Sequence, residues 1–255
     1  KSLQDNHAFE LIERFYDQVW IYGTREVFDH TREYGYPKNI LHKTHYSGYL
    51  QRPTKANTAG GKTLRVLLTT GGGGDGGDVT SAYLEGLQNL PRRIRLKTTV
   101  MFGPEMPVEK RDALIAKYEH LEDVRFRDFE PDLTHHYARA DLIVSMAGYN
   151  TVCELLSFGK RAILVPRDKP VLEQLIRARR LSELGFFDMI EPSELTPDRL
   201  MAQVLASLEN TTRPMPNIDL GGLSTIRALV QGLLQEEEKV LVSKPKQEQK
   251  ALWVA

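Results

Sequence analysis

Short runs of apolar and β-branched residues alternate with helical patterns between about residue 64 and residue 210. In residues 78–90, for example, apolar positions recur every three or four residues, which is typical of a helix with one buried face. By this reasoning the predicted strands cover residues 64–69, 96–102, 124–129, 141–146, 161–166 and 187–190. The predicted helices cover residues 78–90, 108–121, 133–139, 150–158, 171–184 and 197–208.

The alternation itself predicts the fold class. Strands that alternate with helices are typical of a parallel sheet whose crossover connections are helical. The predicted strands are almost continuously apolar, as expected when helices cover both faces of such a sheet. We therefore predict an α/β fold, a Rossmann-like parallel sheet with helices on both faces.

Composition narrows the possible functions. The chain is 41% hydrophobic and 27% charged, as ordinary soluble proteins are, and Lys+Arg and Asp+Glu each total 34. This balance argues against a nucleic-acid partner, because nucleic-acid binders normally carry a basic excess. The only cysteine is Cys153, which excludes an internal disulfide and suits a reducing cytoplasm. The sequence has no apolar run of roughly 18 residues and no signal peptide, so we predict a cytoplasmic protein.

A run of glycines, residues 71–77, follows the first strand of the predicted sheet. Glycine allows a tight turn with positive φ, and it lets a ligand approach the backbone N–H groups at the N-terminus of the next helix. Gly73, Gly74 and Gly76 are therefore candidates for binding phosphate, and Asp75 for binding ligand hydroxyls. Alternatively, the run is a flexible connection in which Asp75 or Asp78 caps the helix. The residues after the second strand match a dinucleotide-binding motif poorly, and the run does not match a P-loop.

A second turn follows the strand at residues 141–146. Gly148 permits the turn, and a second helix N-terminus carries hydroxyl and amide groups from Ser145, Asn150 and Thr151. Two helix N-termini at one sheet edge can bind a diphosphate between them. Glu154 has two interpretations: it forms a capping box with Thr151, or it accepts hydrogen bonds from ribose hydroxyls.

A third turn follows the strand at residues 161–166. We expect Arg167 or Lys169 near the phosphates, and Glu173 and Gln174 at the donor-sugar hydroxyls from the first turn of the next helix. We interpret the side chains of Arg177, Arg179 and Arg180 as a solvated helix face. His135 and His136 have no matching ligand set in the sequence, so we predict surface or packing roles and no metal site. Cys153 is predicted to lie in the core.

Residues 140–166, ADLIVSMAGYNTVCELLSFGKRAILVP, resemble the C-terminal domain of family 28 glycosyltransferases. The family pattern has an Ala-Asp strand, S-x-x-G-x-x-T, a Glu in the next helix, G-K-P-x-I-x-V-P and a downstream Gln, and nearly all of it is present. The similarity covers roughly residues 64–210 and extends to predicted bacterial glycosyltransferases related to the N-acetylglucosaminyltransferase that forms lipid II. Two departures are Arg161, where the family has proline, and residues 167–170, where the family loop contains histidine.

The resemblance implies a GT-B architecture, in which two Rossmann-like domains face a cleft and the C-terminal domain holds a nucleotide-sugar donor. By their motif positions, Gly73, Gly74 and residues 148–151 would contact the diphosphate. Glu154 would bind the ribose, Gln174 the donor sugar, and Phe129 would lie beside the nucleobase. The predicted donor-binding residues are Gly73, Gly74, Asp75, Gly76, Phe129, Ser145, Gly148, Tyr149, Asn150, Thr151, Glu154, Arg167, Glu173 and Gln174.

The resemblance also implies a domain organisation. We predict the end of an N-terminal Rossmann-like domain plus a linker at 1–62, the donor domain at 63–215, a helix crossing back at 216–238, and a flexible tail at 239–255. In the family, the acceptor site and the catalytic base lie on the N-terminal domain. The chain starts at Lys1, within what reads as ordinary domain sequence, so we expect a piece that binds donor without turning over alone.

The implied function is transfer of a hexosyl or N-acetylhexosaminyl group from a nucleoside diphosphate sugar, expected to be a UDP-sugar, to an acceptor hydroxyl. No metal and no cofactor is expected. The acceptor can be lipid-linked or a small molecule, and the sequence does not decide between them. Peripheral association with the inner membrane face, through the missing domain, also stays open. The alternatives are a nucleotide-sugar epimerase or hydrolase of the same fold and a non-catalytic donor-binding subunit. A Rossmann enzyme using NAD or S-adenosylmethionine is disfavoured, because its ribose-binding acid is missing where expected.

Overall fold

The computed structural model describes residues 7–56, 58–60, 63–91, 93–210 and 217–243. The end of the predicted linker and most of the predicted tail lie outside these residues. The helices are α1 (Ala8–Phe15), α2 (His30–Glu33), α3 (Lys38–Leu41), α4 (Gly77–Gln88), α5 (Val108–Tyr118), α6 (Thr134–Arg139), α7 (Tyr149–Phe158), α8 (Glu173–Glu183), α9 (Pro197–Glu209) and α10 (Gly222–Ser243). The strands are β1 (Val19–Ile21), β2 (Thr44–Tyr46), β3 (Leu64–Thr69), β4 (Leu96–Met101), β5 (Val124–Arg127), β6 (Leu142–Ser145), β7 (Ala162–Leu164) and β8 (Asp188–Met189).

The predicted α/β fold is confirmed: six strands form a parallel sheet in the order β5-β4-β3-β6-β7-β8. Register pairing places the ends of the inner strands level with one another. Thr69 pairs with both Met101 and Ser145, and Ser145 pairs with Leu164. The loops that follow these strands therefore leave the sheet at one shared edge, its carboxyl edge, where open parallel sheets bind ligands.

One face of the sheet carries the main hydrophobic core. Val66, Leu68, Val100 and Val144 point to this face and pack with apolar residues of α4, α5 and α9. Among them is Tyr83 of α4, fully buried, whose hydroxyl lies 2.8 Å from the hydroxyl of Thr98. Burial of these side chains fixes the start of α4, and with it the glycine run, at the carboxyl edge.

The opposite face is covered by α6 and α7 beside β3 and β6. Leu67 and Ile143 are buried there, and Cys153 of α7 is fully buried, so the prediction that Cys153 belongs to the core is confirmed. Lys160, which follows α7, is only 4% exposed. Its ammonium group donates hydrogen bonds to the carbonyls of Ala138 and Ala140 at 3.1 and 2.8 Å, which satisfies the end of α6.

Lys160 should make stability depend on pH. Burial lowers the pKa of this amine from 10.5 to about 8. Between these two pKa values the unfolded chain binds more protons than the folded chain, so this group makes the free energy of unfolding rise with pH. The substitution Lys160→Met removes this titratable amine. Urea unfolding should therefore show the advantage of the wild type over Lys160→Met growing from pH 7.5 to pH 9.5, whereas a constant difference would mean an ordinary amine.

The chain folds into two compact units. Of the described residues, 7–25, 29–50 and 219–243 form one unit, in which β1 and β2 pair in parallel and Leu50 forms a bridge with Gly221. Residues 26–28 and 51–218 form the other unit, which contains the six-stranded sheet. The domain boundaries predicted above stay predictions. Among the described helices, none combines the length and the apolar composition that a membrane span requires.

Candidate functional site

The glycine run forms the turn between β3 and α4. Gly71 and Gly73 have φ of 67° and 87°, the left-handed region in which glycine is favoured. Gly76 is the residue before α4, and no side chain caps it, so the predicted capping by Asp75 or Asp78 is wrong. The residue at the N-cap position is a glycine, so it has no side chain that could cap the first N–H groups of the helix. Such groups form an anion-binding site at a helix N-terminus.

Gly103, after β4, supports this turn, and we did not predict it. A Cβ on Gly103 would lie 2.2 Å from the carbonyl oxygen of Gly71 and 2.3 Å from that of Gly72. The backbone N–H of Glu105 also donates to the Gly72 carbonyl at 2.8 Å. The backbone after β4 thus packs directly against the glycine run, and only glycine fits at residue 103. The only signal in the sequence was a Gly-Pro pair at the end of a strand.

The second turn meets the first through Thr151. The helix α7 begins at Tyr149 after Gly148, and Thr151 lies inside its first turn, so the predicted capping box of Thr151 and Glu154 is wrong. Thr151 is instead buried, and its hydroxyl oxygen lies 3.5 Å from the position that a Cβ would take on Gly71. Asn150 is exposed at the same helix N-terminus.

Two buried hydroxyls lie where these turns leave the sheet. Ser145 ends β6 and is fully buried, and Thr70 follows β3 and is 5% exposed. Neither hydroxyl oxygen has a hydrogen-bond partner in the described part of the chain. A buried polar group left unpaired costs about 1–3 kcal/mol. Both unpaired hydroxyls thus lie directly beneath the turns at the carboxyl edge.

Glu154 lies beyond the first turn of α7. Burial raises the pKa of its carboxyl, the neighbouring Tyr137 hydroxyl and the charge of Arg52 lower it, and Asp132 raises it again. The Tyr137 hydroxyl makes no hydrogen bond of regular geometry within the described part. The half-buried carboxylate thus retains capacity to accept hydrogen bonds.

Arg52 reaches the second turn, although its sequence context predicted a linker. Its backbone N–H donates to the Ser157 hydroxyl at 2.8 Å, and its guanidinium donates to the Asn150 side-chain oxygen at 2.9 Å. These contacts join residues about a hundred positions apart. No motif in the sequence indicated them.

The third turn meets the first through Arg167. Its guanidinium lies 3.3 Å from the Asp75 carboxylate, and its backbone N–H donates to the Gln174 side-chain oxygen at 3.4 Å. Asp75 and Arg167 are both partly exposed in the pair, so solvent screens it. The pair brings a cation to the glycine run and offsets the negative charge of Asp75 beside the expected diphosphate.

Arg177 of α8 contradicts the prediction of a solvated face. It is 3% exposed, donates to the Ala147 carbonyl at 3.0 Å, and pairs with the Glu173 carboxylate one helical turn earlier. Its guanidinium also lies 5.9 Å from the centre of the Tyr149 ring. The second and third turns are therefore fixed together by a buried cation, and Glu173, predicted to bind ligand hydroxyls, is engaged in that pair. Arg179 and Arg180 lie on a solvated face, as predicted, and form ion pairs with Glu191 and Glu183.

The loop after β5 carries Phe129 and Glu130. Phe129 is 53% exposed. The Glu130 carboxylate lies 3.2 Å from His136 and 3.9 Å from His135, so a possible metal-ligand set exists where the sequence suggested none. Burial and the charge of His135 lower the pKa of His136, the neighbouring Glu130 raises it, and Arg127 lowers it again.

Together, the three turns form one site. The first and second meet at Gly71 and Thr151, the first and third at Asp75 and Arg167, and the second and third at Ala147 and Arg177. Two helix N-termini, two unpaired hydroxyls and a guanidinium converge at the carboxyl edge. Chemically, this arrangement suits a diphosphate with a polar group on either side.

Comparison with known proteins identifies relatives of this chain. Residues 66–231 match the family described as the glycosyltransferase family 28 C-terminal domain. A relative from Histophilus somni (strain 129Pt) is the UDP-N-acetylglucosamine–N-acetylmuramyl-(pentapeptide) pyrophosphoryl-undecaprenol N-acetylglucosamine transferase. It is 32% identical over 151 residues, which cover 58% of this chain and 41% of the relative. The transferase of the same name from Haemophilus influenzae (strain PittGG) is 36% identical over 151 residues, covering 59% and 40%.

Among solved structures, the glycotransferase of kitacinnamycin has a TM-score of 0.54 at 17% identity, covering 76% of this chain and 47% of that one. This likeness supports the fold alone. The chain spans about two fifths of the length of the curated relatives it matches.

Proposed function

Because the chain belongs to the family of the glycosyltransferase family 28 C-terminal domain, we propose that it supplies the donor site of a glycosyltransferase. The observation that supports this most is the convergence of three turns at the carboxyl edge. In this proposal the site holds a nucleoside diphosphate sugar by its diphosphate while an acceptor hydroxyl attacks the anomeric carbon. The acceptor and the catalytic base belong to parts of the protein outside this donor domain.

The diphosphate lies between the two helix N-termini. Gly73 and Gly74 present backbone N–H groups from the first turn, and Gly148 and Asn150 lie at the N-terminus of the second helix. The N–H of Gly76 donates to the Gly73 carbonyl at 3.2 Å, so Gly76 shapes this turn and does not offer its N–H to the phosphates. Arg167 supplies positive charge close by. As the bond to the sugar breaks, negative charge develops on the departing nucleoside diphosphate, and N–H dipoles already oriented towards it stabilise that charge. The proposal assigns this role to the protein groups and needs no metal ion.

The remaining donor residues bind the rest of the nucleotide sugar. Glu154 accepts hydrogen bonds from the ribose hydroxyls, and Phe129 lies beside the nucleobase. Gln174 binds the sugar, with its amide group positioned by the backbone of Arg167. Arg52 positions Asn150 and supports the Glu154 carboxylate by its charge.

The identity of the donor is inferred from the relatives. The two transferases compared above are named for UDP-N-acetylglucosamine and for an undecaprenol-linked acceptor. We infer a UDP-sugar as the donor of this protein and an acceptor that is lipid-linked. The reaction then takes place on the cytoplasmic face of a membrane, with which the protein associates peripherally. The relatives' names do not favour the alternatives of an epimerase, a hydrolase or a non-catalytic subunit.

The role of Glu154 can be tested with one conservative variant. Glu154→Gln keeps the shape of the side chain but removes the charged acceptor, so the affinity for uridine diphosphate should fall by about 1–3 kcal/mol. Calorimetric titration of the wild type and the variant measures this loss.

The control for this prediction is a second ligand that lacks the ribose hydroxyls. Wild-type protein should prefer uridine diphosphate to its 2′,3′-dideoxy analogue, and Glu154→Gln should bind both equally. If the variant lost stability but kept both the affinity and the preference, Glu154 would have only a structural role and this part of the proposal would be wrong.

A further inference from the structure

The face of the sheet opposite the main core is not covered at β4 and β5 by any described helix. On this face α6 packs beside β3, whereas Lys97 and Thr99 of β4 and Arg125 and Arg127 of β5 remain on the outer side. The alternation of these two strands, LKTTVM and VRFR, puts every charged residue of both strands on one face, together with Thr99. The expectation that both faces are apolar along every strand is therefore wrong at this end of the sheet.

A cavity of about 420 Å³ lies on this face between the strands and α6. Its lining is strongly basic. Five cationic side chains line it, namely Arg65, Lys97, Arg125, Arg127 and Arg139, with His135 and His136 from α6. The two acidic residues that also line it, Glu122 and Asp123, lie beside Arg95, which binds Asp123 through two hydrogen bonds. The acidic residues therefore do little to neutralise the cavity.

The five cations make no ion pair with any residue in the part of the chain that the structure describes. Arg65 and Lys97 are also direct register partners on neighbouring parallel strands. Like charges in such positions repel and destabilise the sheet. The whole chain has equal numbers of basic and acidic residues, so this local excess is a property of the cavity and not of the protein at large.

We propose that this cavity is a second ligand site, which binds a small molecule carrying two or more phosphate groups. Arginine side chains bind phosphate oxygens through paired, charge-assisted hydrogen bonds, and the bound anion would also relieve the repulsion between Arg65 and Lys97. The site is a concave cavity of the size that binds small molecules, which favours a compact polyanion over a membrane surface. The basic lining also favours an anion over a metal ion at the neighbouring Glu130.

This site is centred away from the proposed donor site, although its lining residue Arg127 ends β5 at the carboxyl edge, level with Met101. None of the donor residues named above lines the cavity, and the described turns of the donor site lie beyond the carboxyl ends of the strands. Arg65 and Lys97 lie near the opposite, amino end of β3 and β4. The inference therefore does not depend on the proposed glycosyltransferase activity.

Inorganic triphosphate is a suitable test ligand, titrated by calorimetry into the full chain. Lys97→Gln with Arg125→Gln removes two cations from the cavity. Lys110→Gln with Arg199→Gln removes the same net charge from exposed positions of α5 and α9, and serves as the matched control. Binding should weaken by at least about tenfold in the cavity variant and change by less than about twofold in the control. Thermal unfolding should show that both variants are folded.

A second measurement distinguishes this site from the donor site. The affinity for uridine diphosphate should be the same in the cavity variant and in the wild type. This comparison holds whether uridine diphosphate binds tightly or weakly. Equal weakening of triphosphate binding in both double variants, or no saturable binding to the wild type, would overturn the proposal. So would tighter binding to phosphatidylglycerol vesicles or to a single-stranded oligonucleotide, each lost in the cavity variant, because the surface would then serve a macromolecular partner.

Discussion

Gly103→Ala should weaken the binding of uridine diphosphate by at least about tenfold and lower the free energy of unfolding by about 1–3 kcal/mol. The reason is steric. The new Cβ would lie 2.2 and 2.3 Å from two carbonyl oxygens of the glycine run, so that run must move. Its N–H groups would then no longer point at one diphosphate. Calorimetric titration measures the affinity, and urea unfolding measures the stability.

Gly77→Ala is the matched control for this prediction. Gly77 belongs to the same glycine run, but a Cβ there would meet nothing within 4 Å, and it is the first residue of α4. Alanine should therefore be tolerated there, with a gain of about 0.4–1 kcal/mol in stability because the unfolded chain loses freedom. Equal losses of affinity in the two variants, or full affinity in Gly103→Ala, would contradict the account of the glycine run.

Arg177→Ala should have the largest effect on stability, a loss of about 3–5 kcal/mol. Arg177 is buried and links the Ala147 carbonyl of the second turn with Glu173 of the third helix. Removing it leaves a buried carbonyl and a half-buried carboxylate without their partner. Urea unfolding of the variant and the wild type at neutral pH measures the loss.

Arg179→Ala provides the comparison on the same helix. Arg179 forms an exposed ion pair with Glu191, so its loss should cost no more than about 1 kcal/mol. Adding Glu173→Gln to Arg177→Ala should recover part of the lost stability, since the carboxylate is then neutral. Similar losses for the two arginine variants would mean that Arg177 contributes no more than a surface residue.

The sequence was sufficient to predict the fold, because the spacing of apolar residues is a local property. The strand at residues 64–69 was predicted to its ends, and each other predicted element was found within a few residues of its predicted bounds. Errors arose where the start of a helix decides the interpretation. Because α7 begins at Tyr149, Thr151 lies within its first turn and cannot cap it.

The meeting of three turns at one sheet edge was predicted, whereas the contacts that hold these turns together were not. Motif spacing identified three turns that share a sheet edge, since parallel topology alone brings them together. Contacts between residues far apart in the sequence could not be predicted in this way. Arg52 beside Asn150, Gly103 against the glycine run and Arg177 beneath the second turn all depend on how separate loops pack.

The central claim is that the carboxyl edge of this sheet binds a nucleoside diphosphate. Its most direct test is calorimetric titration of the chain with uridine, guanosine and thymidine diphosphates, NAD and S-adenosylmethionine in parallel. We predict saturable, one-to-one binding of uridine diphosphate and no comparable binding of NAD or S-adenosylmethionine. Binding of NAD or S-adenosylmethionine, with none of the nucleoside diphosphates bound, would contradict the claim.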